Sequence, residues 1–204
     1  MICVVNYGLG NIEAICNIYK RLNISVRVAS TADELSGAEK IILPGVGAFD
    51  RAMALLDKSG MRETLDQLVL DHKRLVLGIC VGMQILAKRS EEGSLGGLGW
   101  IDADVRKFNL ATMSPKAYLP HMGWNDVIPR IDEGLFRGLG PSSRFYFLHS
   151  YYFAQKSEQM VLAVTDYFGT FASSVRAGNI HGVQFHPEKS HQWGIQLLKN
   201  FADL

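Results

Sequence analysis

The sequence predicts an α/β fold, an open and mostly parallel sheet flanked by helices, with a small antiparallel β region added late in the chain. Short apolar runs alternate with amphipathic helical segments over the first 90 of the 204 residues. Beyond Lys88 this alternation is replaced by closely spaced strand signals. Polar or glycine-rich turns follow several of the early apolar runs, as expected where parallel strands end beside a site.

The early strands are predicted from short runs of branched apolar side chains, which are typical of strands buried on both faces. They lie at residues 2–5, 25–28, 40–43 and 75–79. Between them, Asn11 is a suitable N-cap for a helix that continues through Leu22. Further helices are predicted over residues 53–56 and 61–70. Because helices connect these strands, the strands should run parallel.

The second half of the chain is rich in short strand signals. A glycine-rich loop over residues 91–99 precedes them, and a closing helix is predicted over 192–201. The sequence contains no internal repeat, low-complexity tract or linker, so residues 1–204 are predicted to form a single domain. The strands are predicted at 104–107, 125–128, 145–148, 151–153, 161–164, 173–176 and 179–185.

The composition indicates a soluble cytoplasmic protein. Twenty-one basic and 20 acidic residues leave a net charge of +1, which offers no electrostatic case for binding nucleic acid or a membrane surface. No apolar segment approaches the roughly 20 residues of a membrane span, and the run at 2–5 is too short for a signal peptide. The three cysteines, Cys3, Cys16 and Cys80, predict no disulfide framework and fit a reducing cytosol.

The first candidate for chemistry is Cys80, which lies between a predicted strand and a helix predicted to begin over 84–88. Gly78 and Gly82 flank it at the spacing that a sharp strand–turn–helix requires, because such a turn leaves no room for Cβ atoms. A helix N-terminus favours the thiolate, and the Val81 N–H would face an oxyanion formed beside Cys80. The alternative is that Cys80 is a small buried hydrophobic residue.

The second candidate is His186-Pro187-Glu188, at the end of the last predicted strand. A histidine there can deprotonate Cys80, and a carboxylate two residues later can orient the imidazole. Without a partner cysteine, a surface histidine beside a solvated glutamate would be the simpler interpretation. The two motifs together favour nucleophilic catalysis.

Two glycine-containing loops follow the other early strands. Gly45-Val46-Gly47 can direct backbone N–H groups at an oxyanion, although a plain strand-to-helix turn has the same composition. Gly8-x-Gly10 suggests dinucleotide binding, but the third glycine of that fingerprint would fall at Glu13. Since all these loops follow predicted parallel strands, Tyr7, Gly45 and Cys80 should converge on one sheet edge.

Together these motifs resemble the class I glutamine amidotransferases, whose fold is flavodoxin-like. More narrowly, the chain resembles the family of glutaminase subunits of imidazole glycerol phosphate synthases, which serve histidine biosynthesis. The resemblance covers essentially the whole chain. Two positions depart from the common pattern, because Asn6 stands where aspartate is usual and Val81 where leucine is usual. The motifs that carry the resemblance lie at 7–11, 44–47, 78–84, 97–100, 120–125, 147–152, 184–190 and 197–201.

The resemblance implies that Cys80 attacks the side-chain amide of L-glutamine, with His186 as the acid–base group and Glu188 orienting it. Ammonia would pass through a channel to a (βα)₈-barrel synthase subunit in a heterodimer, which makes imidazole glycerol phosphate and an aminoimidazole carboxamide ribonucleotide. The remaining roles are also implied by resemblance. They are the oxyanion hole (Gly45, Val46, Gly47, Val81), glutamine binding (Gln84, His149, Ser150, Tyr151) and the partner interface (Tyr7, Asn11, Met122, Trp124, Lys189).

The resemblance implies no metal or organic cofactor. The other histidines also show no ligand spacing that would indicate a metal site. Three alternatives remain open at this stage. The chain could be a paralogous subunit that supplies ammonia in a bacterial surface-sugar pathway, a stand-alone γ-glutamyl cysteine hydrolase, or a non-catalytic binding module with the same fold. The intact set of Cys80, His186 and Glu188 disfavours the binding module.

Overall fold

A computed structural model of the protein describes residues 1–109 and 117–204. Its strands, in chain order, are β1 (Ile2–Val5), β2 (Val26–Ala29), β3 (Lys40–Gly45), β4 (Leu75–Cys80), β5 (Arg89–Ser90), β6 (Ala103–Lys107), β7 (His121–Asp126), β8 (Ile128–Pro129), β9 (Arg144–His149), β10 (Tyr151–Gln155), β11 (Val161–Asp166), β12 (Thr170–Ala177) and β13 (Ile180–Val183).

The helices surround these strands, and the longest of them closes the chain. They are α1 (Ile12–Arg21), α2 (Ala32–Leu35), α3 (Phe49–Lys58), α4 (Arg62–Asp66) with a π-helical continuation (Gln67–Asp71), α5 (Val81–Gln84) and α6 (His191–Asp203). Short 3₁₀ turns lie at Gly134–Phe136, Glu158–Met160 and Pro187–Lys189.

The central sheet confirms the predicted α/β class. Within the described ranges it has eight strands in the order β2-β1-β3-β4-β13-β12-β11-β8. The strands from β2 to β13 pair in parallel, and those from β13 to β8 pair antiparallel. The antiparallel region predicted late in the chain therefore extends the same sheet. Two small sheets, β10-β6-β5 and β7-β9, lie beside its antiparallel strands, with β10 in contact with β12 and β7 in contact with β11.

The core explains why the early strands appear as unbroken apolar runs. Every residue of β1 is buried, because helices cover the parallel strands on both faces. The edge strand β2 is only partly buried. The chain order reverses between β1 and β3, so the loops after β1, β3 and β4 meet at one sheet edge. Gly45 and Cys80 meet there as predicted, and the register pairs them directly.

The prediction that a helix begins over residues 84–88 is wrong. Helix α5 ends at Gln84, and the next four carbonyl groups accept hydrogen bonds from the N–H groups of residues 97–99 and of Ile101, where the glycine-rich loop returns. Leu98 donates to Ile85 O at 2.8 Å and Gly97 donates to Lys88 O at 2.9 Å. Those carbonyls are thus satisfied by a tertiary contact, which competes with the next helical turn.

The strand predicted over residues 125–128 is also displaced, because β7 begins earlier, at His121, and ends at Asp126. Its burial pattern is inverted relative to ordinary strands. Met122 and Trp124 are exposed, whereas His121 is buried. When the large apolar side chains of an alternating strand face outward, the sequence pattern does not indicate which face of the strand is buried.

Among the residues that the structure describes, none of the helices combines the length and apolar character that crossing a bilayer demands.

The turn around Cys80 is held by glycines that touch backbone. A Cβ atom added to Gly82 would lie 1.9 Å from Leu43 O, and one added to Gly45 would lie 2.4 Å from Gly82 N. A Cβ atom at Gly78 would lie 2.6 Å from Gly82 O. Because these neighbours are main-chain atoms that cannot rotate away, a Cβ at any of the three positions would push β3, β4 and α5 apart and disturb the sheet register.

We therefore expect Gly82→Ala to lower the free energy of unfolding by roughly 2–3 kcal/mol, the usual cost of overpacking a closely packed interior. Urea unfolding followed by circular dichroism measures the change. Gly140→Ala is the matched control, since a Cβ atom there meets nothing within 4 Å, and we expect a change within about 0.5 kcal/mol. Equal midpoints for the two variants would contradict this account of the turn.

Candidate active site

Cys80 occupies the apex of the turn in a strained conformation. Its φ is +55° and its ψ is −113°, in a region that residues with a Cβ rarely adopt. Its side chain is almost fully buried. The sulfur lies 3.8 Å from Gln184 Nε2 and 4.0 Å from Leu148 O. Such backbone strain at a single residue at the end of a strand is characteristic of functional sites.

His186 and Glu188 form a buried pair beside Cys80. The Nδ1 atom of His186 lies 2.9 Å from Glu188 Oε1, and Asn11 Nδ2 donates to the same oxygen at 2.7 Å. The backbone N–H of His186 donates to Tyr146 O at 2.9 Å, which ties this segment to β9. The imidazole is thus oriented by a carboxylate that is itself held from the loop after β1.

Burial disfavours the charged forms of His186 and Glu188, but the neighbouring charges and hydrogen bonds outweigh burial for both residues. Burial lowers the pKa of His186, but the adjacent Cys80 sulfur and Glu188 carboxylate outweigh burial and raise that pKa to about 10. Burial likewise disfavours ionised Glu188, yet the hydrogen bonds from His186 and Asn11 hold its pKa below its usual value. The charged form of His186 is therefore stabilised between the Cys80 sulfur and the ionised Glu188 carboxylate.

A cavity of about 280 Å³ opens beside the Cys80 sulfur, a volume near the lower end for small-molecule sites. It brings together most of the residues that the sequence singles out, whereas Gly45 packs behind them against Gly82. The lining residues are Val46, Gly47, Cys80, Val81, Gln84, Glu92, Pro120, Leu148, His149, Ser150, Tyr151, His186 and Lys189.

Two polar residues of the site had no role assigned from the sequence. Glu92 lines the cavity, and its Oε2 accepts a hydrogen bond from the Phe49 N–H at 2.8 Å, at the start of α3. Gln184 is fully buried and contacts the Cys80 sulfur. Glu92 resembles any loop glutamate in sequence, while Gln184 belongs to the motif at 184–190 but carries no separate signal.

A line of neutral imidazoles runs behind the cavity. His149 Nδ1 donates to Tyr151 O at 2.8 Å, so its Nε2 is the acceptor for His121 Nδ1, also at 2.8 Å. Asn125 Nδ2 then donates to His121 Nε2 at 3.1 Å. Burial lowers the pKa of His121 to about 4, and burial with the neighbouring His121 lowers the pKa of His149 to about 3.

The residues assigned to a partner interface by resemblance fall into two groups. Tyr7 is buried, and its hydroxyl donates to Pro44 O at 2.7 Å, so it supports the 44–47 loop from behind. Asn11 supports Glu188. Met122 and Trp124 are 55% and 39% exposed on β7, and Lys189 is exposed at the cavity with its Nζ 5.5 Å from the centre of the Tyr146 ring.

Over residues 1–109 and 117–204, no group of three or more histidine, cysteine, aspartate or glutamate side chains is placed to hold a metal ion.

The family model described as glutamine amidotransferase class-I matches residues 3–204. The chain belongs to the class I glutamine amidotransferases. The resemblance drawn from the motifs is thereby confirmed, and the protein is an enzyme of this class. This amidotransferase is 57% identical over 204 residues to "Imidazole glycerol phosphate synthase subunit HisH" of Bdellovibrio bacteriovorus, and 47% identical over 204 residues to the Leptospira borgpetersenii protein of the same name. Both alignments cover 100% of each chain.

Solved structures agree with the amidotransferase fold. A "glutamine amidotransferase" structure aligns with a TM-score of 0.74 at 22% identity, over 100% of this chain and 99% of that one. The structure of PurLQS from Thermotoga maritima aligns with a TM-score of 0.73 at 18% identity, over 99% and 97% of the respective chains. At these identities the similarity concerns the fold alone.

The buried neutral histidines predict a loss of stability in mild acid. Burial lowers the pKa of His181 to about 4, as for His121, and the pKa of His149 is lower still. The unfolded chain, with ordinary values near 6.5, therefore binds up to three more protons between about pH 6.5 and pH 4. Stability is fully present above that window and falls as the pH drops through it, by about 1.4 kcal/mol per pH unit for each proton.

Urea unfolding at pH 7 and pH 5 tests this expectation. His181→Gln removes one of the groups that bind a proton only in the unfolded chain, so it should reduce the pH dependence of stability. His72→Gln, at an exposed position, should leave that pH dependence unchanged. His186 opposes this change only weakly. Its raised pKa favours the folded state more as the pH falls from 7 to about 6, and below that it is protonated in both states. Equal stability of the wild-type protein at pH 7 and pH 5 would refute the expectation.

Proposed function

We propose that this amidotransferase is the glutaminase subunit of an imidazole glycerol phosphate synthase, which hydrolyses L-glutamine to glutamate and ammonia at Cys80. One observation carries the catalytic part of this proposal. A strained cysteine stands beside a buried imidazole, which a buried carboxylate orients through its Nδ1 atom. The pathway is supported by relatives of that name at 57% and 47% identity over the full chain.

The reaction proceeds in two acyl-transfer steps. The Cys80 thiolate attacks the amide carbon of glutamine, and the resulting tetrahedral intermediate carries an oxyanion. Protonated His186 gives its proton to the leaving nitrogen, so that ammonia departs and a γ-glutamyl thioester remains. Neutral His186 then takes a proton from water, whose oxygen attacks the thioester. Collapse of the second intermediate releases glutamate and restores the thiolate–imidazolium pair.

The oxyanion is stabilised by the backbone of two neighbouring segments. The Val81 N–H follows the nucleophile directly, and the segment Gly45–Gly47 lies beside it across the β3–β4 register. Tyr7 anchors this segment through Pro44 O, and burial with the neighbouring Cys80 raises the pKa of Tyr7, which therefore stays a neutral donor. N–H groups aimed at the developing charge supply a large part of the catalysis.

Glutamine is recognised by polar groups around the cavity. Gln84, Ser150 and Tyr151 line it and offer hydrogen bonds to the amino-acid end of the substrate. His149 contributes through its backbone or ring carbons, since both of its ring nitrogens already have partners. Glu92 is an acidic side chain of this lining and is placed to pair with the substrate α-ammonium group.

The partner is a (βα)₈-barrel synthase subunit that receives the ammonia through a channel in a heterodimer. Met122 and Trp124 project from β7 next to the cavity, and Leu148, which the register pairs with Met122, is 40% exposed and lines the cavity rim. Exposed aromatic and methionine side chains grouped beside a site are characteristic of protein interfaces. Lys189 adds an exposed cation at the same rim.

The decisive variant is Cys80→Ala, assayed with a (βα)₈-barrel cyclase subunit and its ribonucleotide ligand. We expect glutamine-dependent synthesis to fall by at least about 10³-fold, because removing the nucleophile of a triad removes most of its catalysis. Synthesis from added ammonium salts should persist. The matched control is Cys16→Ala, a buried cysteine of α1 outside the site, which should retain both activities. Loss of both activities by a folded Cys80→Ala protein would contradict the proposal.

The same assay separates the alternatives. Glutaminase activity that is low alone and rises many-fold with the barrel subunit supports the synthase. High activity that is indifferent to the barrel would identify a stand-alone γ-glutamyl hydrolase. Slow hydrolysis without any response to this barrel would direct the search to ammonia-dependent enzymes of bacterial surface-sugar pathways.

Glu92→Gln tests the recognition of the substrate ammonium group. The variant keeps an oxygen that can accept from the Phe49 N–H but loses the negative charge. We expect KM for glutamine to rise about tenfold or more, in line with a charged hydrogen bond of roughly 1.5–3 kcal/mol. Its preference for glutamine over the analogue without the α-amino group should disappear. Glu91→Gln, an exposed neighbour outside the cavity lining, is the control and should keep both values.

A further inference from the structure

Gln184 places a carboxamide against the nucleophile. It directly follows β13, which pairs in parallel with β4 so that Val183 is opposite Ile79 and Gln184 falls beside Cys80. The side chain is fully buried, and its Nε2 lies 3.8 Å from the Cys80 sulfur. A buried amide costs free energy unless both its oxygen and its NH₂ group have hydrogen-bond partners. The orientation of the amide therefore shows which of these two groups faces the sulfur.

The orientation of this amide is determined by Gln84. Gln84 Nε2 donates to Gln184 Oε1 at 3.0 Å, so the NH₂ group of Gln184 is the end that faces the sulfur. A flipped Gln184 would put two NH₂ groups against each other and turn its carbonyl oxygen toward the thiolate. Both contacts would be repulsive, which makes the observed orientation the only satisfied one.

Gln84 is in turn fixed by the line of imidazoles behind the cavity. Its Nε2 also donates to Tyr151 O at 3.1 Å, the same carbonyl that accepts from His149 Nδ1. His149 Nε2 accepts from His121 Nδ1, and His121 Nε2 accepts from Asn125. Each neutral ring therefore uses one donor and one acceptor, and both carry their proton on Nδ1.

We propose that Gln184 is a further catalytic residue, whose side-chain N–H stabilises the Cys80 thiolate, and that His121 and His149 are positioning residues that keep this amide oriented. The inference rests on the proposed function only in taking Cys80 as the reacting group. The thiolate is the nucleophile of the first step and the leaving group of the second, so one donor to sulfur serves both steps. In a buried site such a donor acts more strongly than it would in water.

The line of imidazoles works only while both rings are neutral. Protonation of His149 would place a proton on Nε2, which faces the Nδ1–H of His121, and the two donors would separate. The Tyr151 carbonyl would then lose its fixed position beside Gln84. His121 stacks between Phe147 and Tyr167, with ring centroids at 4.6 Å and 3.9 Å, so its own position is set by packing.

The test is the rate of Cys80 alkylation by iodoacetamide as a function of pH, followed by mass spectrometry of the Cys80 peptide. This reaction needs neither glutamine nor a partner, so it can fail independently of the proposed pathway. Gln184→Met keeps the size of the side chain and removes the donor. We expect the midpoint of its pH profile to move up by about one unit, so that its alkylation rate falls about tenfold at pH values below the wild-type midpoint.

Gln192→Met is the matched control, because Gln192 is exposed at the start of α6. Its alkylation profile should equal that of the wild-type protein. An unchanged profile for folded Gln184→Met would overturn the proposal. A measurement on the wild-type protein covers the case in which that variant does not fold. The NMR signals of the Gln184 side-chain amide should shift with the same midpoint as alkylation, and their constancy would equally overturn it.

The positioning role of His121 has its own pair of variants. His121→Phe keeps the stacked ring but removes the donor to His149, and we expect alkylation to slow by about three- to tenfold at pH values below the wild-type midpoint. His121→Gln restores a donor and should recover most of the rate. In glutamine hydrolysis the phenylalanine variant should lower kcat more than it raises KM. Equal rates for both variants and the wild-type protein would leave His121 without a positioning role.

Discussion

The site depends on one backbone constraint, the left-handed conformation of Cys80. A non-glycine residue at φ +55° costs of order 1–3 kcal/mol, so the surrounding contacts must enforce it. They do so through main-chain atoms, since Gly45, Gly78 and Gly82 bring β3, β4 and α5 together more closely than any Cβ would allow. The same contacts place the Gly45–Gly47 segment beside the sulfur. The geometry of the nucleophile and that of the neighbouring backbone are therefore a single property of the sheet.

Buried histidines that lie near one another have opposite protonation states in this site. His186 has a carboxylate on one side and the Cys80 sulfur on the other, so its charged form is stabilised despite burial. Over the residues that the structure describes, the ring nitrogens of His121 and His149 bond to each other, a backbone carbonyl and an amide, none of which is negatively charged, so burial keeps both rings neutral. Partner charge, and not the degree of burial, thus decides which imidazole can carry a proton at neutral pH.

The added β region changes what the parallel sheet can do. The β7-β9 sheet brings an exposed apolar face to the rim of the cavity, and its inner face supplies the line of neutral imidazoles. One strand, β7, therefore connects the surface assigned to the partner with the interior of the site. Met122 and Trp124 thus lie on the same strand as His121, which donates to His149, and His149 donates to Tyr151 O.

The sequence alone determined the α/β class, the parallel direction of the early strands and the convergence of Gly45 and Cys80 on one sheet edge. Apolar periodicity and glycine spacing are local properties of the chain, so they can be read without the fold. It also singled out Cys80, His186 and Glu188, whose motifs lie within short segments. The length of α5, the start of β7 and the contacts of Gln184 and Glu92 were decided by tertiary structure. In each of these cases the deciding partner lies far along the chain: the carbonyls after α5 bond to the loop near Gly97, and Gln184 meets Gln84. Hydrogen bonds between distant segments leave no periodicity in the sequence, so only the folded chain reveals them.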